Sequence, residues 1–160
     1  MKSVSPGTLE VPTQKYAVIA VGTIAAADKL WEPLVPHFRR GLVVRLGQLG
    51  AFDAVLDPAP SYLPTRAVLV SGNIVEVEKG SAAKRLFIGM GAGKARVSGI
   101  FEARDNENRA LGTFSAEESY LGGIGIGGAG LLDMEDLMQS LGKSVAERLV
   151  QWARDGKIAE

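Results

Sequence analysis

An α/β chain of the two-layer α+β kind, with a mostly antiparallel sheet carrying two helices on one face, is what three sequence patterns predict. Apolar residues alternate along 95–103, with Ala95, Val97, Gly99 and Phe101 on one face and Arg96, Ser98, Glu102 and Arg104 largely on the other. Two further segments, near 31–49 and 134–152, repeat their apolar residues every three or four positions, the period of a half-buried helix. Turn-forming residues between the strand-like runs set the order β-α-β-β-β-β-α.

The first strand is 16–24 (YAVIAVGTI), apolar on both faces and partly β-branched, as an inner strand requires. Pro33 and Pro36 fit only the first turn of a helix, where a missing amide hydrogen costs little, so the helix starts near Glu32. Trp31, Leu34, Val35, Phe38, Leu42, Leu46 and Leu49 line one of its faces, and Gly50 stops it. Residues 51–56 form a short strand, and 57–64, with three prolines, a connection. A long strand over 66–78 changes phase around Gly72, where a bulge is expected. Residues 105–108 turn the chain from 95–103 into a returning strand over 110–120. The last helix carries Met134, Leu137, Met138, Leu141, Val145, Leu149 and Trp152 on one stripe, with Asp133, Glu135 and Asp136 at its positive end. The domain therefore spans 16–154, between a lead-in over 1–15 and a tail over 155–160.

Composition narrows the function. A chain of 160 residues, 46% hydrophobic and 22% charged, is one ordinary globular domain. Eighteen basic residues balance eighteen acidic ones without a long single-sign block, which argues against nucleic acid as a partner. The absence of cysteine excludes thiolate catalysis, cysteine-ligated metals and internal disulfides. No secretory signal is visible at 1–7, and the longest uncharged runs, 16–27 and 119–132, are shorter than the ~20 residues of a spanning helix.

No residue constellation specifies a reaction, so the expectation is a non-enzyme with no cofactor and no metal. The run 89–95 misses the phosphate-loop spacing, because Gly89 stands one residue too close to Gly93-Lys94 and Ala95 cannot ligate magnesium. Gly125-Ile126-Gly127-Gly128-Ala129-Gly130 matches G-x-G-x-x-G, yet neither a second strand nor an acidic residue for a ribose follows it. His37 reads as a surface residue without a visible partner, and the acids at 133–136 as charges opposing the helix dipole. Glu117 and Glu118 project to opposite faces of a strand, which argues against a catalytic pair. Trp31 and Trp152 read as core residues.

Two glycine-rich apolar stretches remain, 86–93 (LFIGMGAG) and 121–130 (LGGIGIGGAG). Antiparallel pairing of the intervening strands brings both to one end of the sheet. Leu86, Phe87, Ile88, Met90, Leu121, Ile124 and Ile126, with Arg85 and Lys94 on a cationic rim beside Lys84, make a candidate binding surface for a protein partner or for self-assembly. Alternatives are a lid over the core, an anion nest for a nucleotide or other small molecule, and insertion of 119–132 into a bilayer as part of an oligomeric barrel.

Val70-Ser71-Gly72-Asn73-Ile74, Gly80, Arg85, the run Gly89-Met90-Gly91-Ala92-Gly93-Lys94-Ala95, Asp105 before a turn, and Leu111 together resemble the bacterial domain-of-unknown-function family 4410, over roughly 16–152. This chain has Glu107-Asn108 where that family often has Thr-Gly, and it lacks the lipidated cysteine of many members. The resemblance implies an exported envelope protein, often a lipoprotein, in the periplasm or at the outer membrane, with an envelope protein or a homo-oligomer as partner. A cytoplasmic location is the alternative.

Overall fold

The apolar run that follows Tyr16 becomes β1 (Val18–Ala26), and Ile19, Ala20 and Val21 within it are fully buried. A computed structural model describes residues 16–78, 95–120 and 131–155, without the side chains of 120 and 131–133. After β1 a 3-10 turn (Lys29–Leu34) leads into α1 (Val35–Leu49), followed by β2 (Ala54–Leu56), β3 (Ala67–Glu78), β4 (Ala95–Asp105), β5 (Ala110–Tyr120) and α2 (Leu131–Asp155). The sheet has five strands in the order β2-β1-β3-β4-β5. β1 runs parallel to both of its neighbours, whereas β3, β4 and β5 form an antiparallel meander. The α+β two-layer architecture is as expected from the sequence, and the sheet is mixed. Its parallel part arises because α1 returns the chain to the start of the sheet before β2, and the connection over 57–66 does so again before β3.

Both helices cover one face. Phe38, Leu42 and Leu46 of α1 and Met134, Met138, Leu141, Val145 and Leu149 of α2 pack with Ile19, Val68, Ile74, Val97 and Phe101 of the sheet in one apolar cluster. The helices cross closely, because a Cβ on Gly41 would come within 2.8 Å of the Gln139 carbonyl carbon and one on Gly142 within 2.6 Å of the Leu42 amide nitrogen. Gly50, at φ 63°, ends α1 in the left-handed conformation that glycine adopts without strain.

Phe101 organises the centre of the core. Its ring stacks on Phe38 at 5.2 Å and meets Phe114 at 5.7 Å, and it lies over Gly72 and Gly99 so closely that a Cβ on Gly99 would stand 2.6 Å from its tip. Gly72 thus serves ring packing. The irregularities sit elsewhere: β1 gains a residue between Val21 and Ile24, β3 between Ile74 and Glu76, and β5 between Ala110 and Gly112. Trp152 is buried and stacks on Tyr16 at 5.3 Å, as a core residue should. Trp31 is not in the core; it is half-buried in the 3-10 turn, because Pro33 and Pro36 delay the α-helix until Val35.

Candidate functional site

The register of the meander sets the candidate site. Glu78, the last residue of β3, pairs with Arg96, and Ala95, the first of β4, pairs with Tyr120, the last of β5. The strand ends that lead into 79–94 and 121–130 are therefore neighbours on one rim of the sheet. The same rim holds the end of β1, since Ala26 pairs with Ile74. The predicted contact residues Arg85, Leu86, Phe87, Ile88, Met90, Lys94, Leu121, Ile124 and Ile126 lie outside the described residues.

The described residues of this rim carry polar contacts. On the open face, Arg96 donates to Glu76 and Glu78 at 3.2 Å each, and the Ser98 hydroxyl donates to Glu76 at 3.4 Å. Beyond β1, the Asp28 carboxylate accepts the Leu30 amide at 2.9 Å and so caps the 3-10 turn, which leaves Leu30 81% exposed beside Trp31. His37, in the first turn of α1, lies 3.5 Å from the Glu135 carboxylate of α2, a partner that sequence separation hid. Glu135 thereby has a role beyond opposing the dipole. Among the described residues no group of three or more metal-ligating side chains converges.

A second polar centre lies deeper. Arg39 of α1 donates to the Gly22 carbonyl at 2.7 Å, to the Val21 carbonyl at 3.1 Å and to the Asp57 carboxylate through Nε at 3.1 Å. It thereby ties the irregular turn of β1 to the residue that leaves β2. A cleft of about 990 Å³ opens beside this clamp, between Pro60, Ser61 and Leu63 of the connection and Leu69 and Ser71 of β3. Four of the guanidinium's hydrogen bonds are thus spent within the protein. Its geometry is that of a structural clamp.

At the opposite end of the sheet, Asp105 is the buried acid of the described residues. Its carboxylate accepts the Glu107 amide, the Arg109 amide and the Arg109 Nε, each at 2.9 Å, and Asn108 supplies the left-handed residue at φ 68°. The Arg109 amide above all, then the Glu107 amide and the Arg109 guanidinium, hold its carboxyl below the usual carboxylate range against the opposing effect of burial. An aspartate two residues before the bend of a hairpin is the sequence signal for such a turn. Arg39, paired with residues seventeen and eighteen positions away, left no such signal.

Glu117 and Glu118 do face opposite sides of β5. Glu117 is exposed, while Glu118 accepts a hydrogen bond from the Ser144 hydroxyl of α2.

A family model described as Domain of unknown function (DUF4410) matches residues 15–123, more than half of the 160-residue chain. The chain belongs to the DUF4410 family. No curated protein matches it in sequence. Among solved structures, the DUF4410 chain is similar to the PelC dodecamer from Paraburkholderia phytofirmans, with a TM-score of 0.53 and 15% identity over 82% of this chain and 85% of that one. It is also similar to XCC0632 from Xanthomonas campestris, a DUF330 protein, with a TM-score of 0.53 and 11% identity over 86% of this chain and 83% of the other. At such identities these likenesses establish a shared fold. No described helix is long and apolar enough to cross a membrane.

Proposed function

We propose that this DUF4410 domain is a non-enzymatic component of the bacterial cell envelope that binds an envelope protein or further copies of itself through segments 86–93 and 121–130. The observation that supports the reading is the adjacency of Glu78, Ala95 and Tyr120 on one rim, because these strand ends lead into the two apolar glycine-rich segments. In this reading Phe87 and Ile124 supply apolar area, one from each segment, and Arg85 and Lys94 a charged margin that orients the partner. The likeness to PelC, a dodecamer, is in keeping with self-assembly by this fold. The family resemblance supports an envelope location.

Light scattering and partner recovery on the wild type and on a Phe87→Asp, Ile124→Asp double variant test it. Two buried carboxylates in an apolar contact oppose association, so the variant is expected to have a lower assembled mass and to recover less partner at an unchanged melting temperature. Equal mass and equal recovery overturn the reading.

A further inference from the structure

The two edges of the described sheet differ sharply. β2 is three residues long and is followed by Pro58 and Pro60, which cannot donate to an added strand. β5 is eleven residues long and contains neither proline nor lysine. The hydrogen bond from Arg148 Nη1 to the Ser115 carbonyl fixes the phase of this edge. A Ser115 carbonyl reached from outside the sheet means that the main-chain groups of Thr113, Ser115, Glu117 and Ser119 point away from β4, and those of Phe114, Ala116 and Glu118 point toward it. The outward residues are the exposed ones.

We propose that β5 is a strand-pairing surface whose occupant is β5 of a second copy, antiparallel about a two-fold axis at Ala116. Charge selects this register. With the axis there, Glu118 of each copy falls opposite Phe114 of the other, on the helix side, where the Arg148 guanidinium stands 4.8 Å above the Phe114 ring. Glu117 of each copy then falls opposite Ser115 of the other, carboxylate against hydroxyl. An axis at Glu117 would set the two Glu117 carboxylates face to face, and an axis at Ser115 would bring both Arg148 side chains to the same pair of carbonyls. The Ser115 carbonyl has two acceptor positions, so Arg148 can keep one while the second copy's Ser115 to Glu117 segment uses the other. The pairing joins the two described five-stranded sheets edge to edge through residues 113–119 of β5.

The chain has no cysteine, so engineered ones report the register directly. Single Ser115→Cys and Glu117→Cys variants of the full chain are expected to form a disulfide with each other when mixed, since facing residues in a hydrogen-bonded pair lie ~5.5 Å apart at Cα. Neither is expected to cross-link to itself. Ser115→Pro removes an outward amide without touching the ladder to β4 and is expected to sediment as a monomer with an unchanged circular dichroism spectrum. Should that variant unfold, Arg148→Glu weakening self-association by about tenfold, with recovery in the Arg148→Glu, Glu118→Lys double variant, reads the same contact. Self-linking of Ser115→Cys alone, no cross-link in the mixture, or the absence of any charge effect on self-association overturns the proposal. The Phe87→Asp, Ile124→Asp variant is expected to keep the cross-link, which separates this surface from the one at the rim.

Discussion

At the scale of single residues, Asp105 shows how one carboxylate fixes a turn. Its oxygens take up the Glu107 and Arg109 amides of the bend, and the Arg109 guanidinium, which also pairs with Glu107 at 3.0 Å. Because the Arg109 amide, with the other two donors, favours the charged form, the folded state holds the carboxyl below its ordinary value of 3.8, and the unfolded chain takes up the proton first as pH falls. The stabilisation is therefore complete above the unfolded value and is lost as pH drops through the folded one. The melting temperature of Asp105→Asn is expected to lie below that of the wild type by a constant margin at neutral pH, and the gap to shrink below about pH 3.8. A gap independent of pH from 7 to 2 would show that the carboxylate's charge contributes nothing to the turn.

At the scale of elements, helix contact depends on what is missing from two positions. A Cβ on Gly41 would meet the carbonyl carbon of Gln139 at 2.8 Å and its Cα at 2.9 Å, and backbone cannot rotate aside as a side chain can. Gly41→Ala is expected to push α1 and α2 apart and to destabilise by ~1–3 kcal/mol. Gly47, on the exposed side of the same helix, has nothing within 4 Å of its missing Cβ, and Gly47→Ala should stabilise by ~1 kcal/mol through helix propensity alone. Chemical denaturation of the two variants distinguishes packing from propensity by the sign of the change. This contrast marks what the sequence made legible. Apolar period located both helices, Gly50 ended the first, and alternation placed β4 with its buried and wet faces, because each depends on neighbours a few positions apart. The direction of β1 relative to β2 and β3, the packing of the Phe101 ring against Gly72, and the pairing of His37 with Glu135 depend on residues far apart in the chain, which local period does not encode. At the candidate site the antiparallel pairing of β4 with β5 was legible from the turn, whereas the irregularity between Ala110 and Gly112 was not; the contact residues at 85–94 and 121–126 lie outside the described residues.

At the scale of the whole molecule, Arg39 joins parts that the covalent chain separates. The helix layer supplies the side chain, the inner strand β1 supplies the Gly22 and Val21 carbonyls, and the exit of β2 supplies Asp57. The Val21 carbonyl also accepts the Ala59 amide at 2.8 Å, so the same point anchors the start of the connection that crosses to β3. The tie sits where β1 lengthens irregularly and its ladder to β3 skips a pair, between Val21 and Ile24. Arg39→Met keeps the apolar stem and removes the donors, leaving the Gly22 carbonyl and the Asp57 carboxylate without this partner. Hydrogen bonds to charged groups contribute ~1.5–3 kcal/mol, and the side chain is 21% exposed, so a loss of ~1–2 kcal/mol is expected. Arg39→Lys should restore only part of it, since an ammonium cannot serve two carbonyls and a carboxylate with one planar fork. Amide exchange should report the same event locally, with faster exchange at Ala59 in Arg39→Met than at Val97 or Phe101 in the core of β4. Equal acceleration at all three would mean that the clamp acts on global stability alone and does not hold the β2 to β3 connection against the sheet.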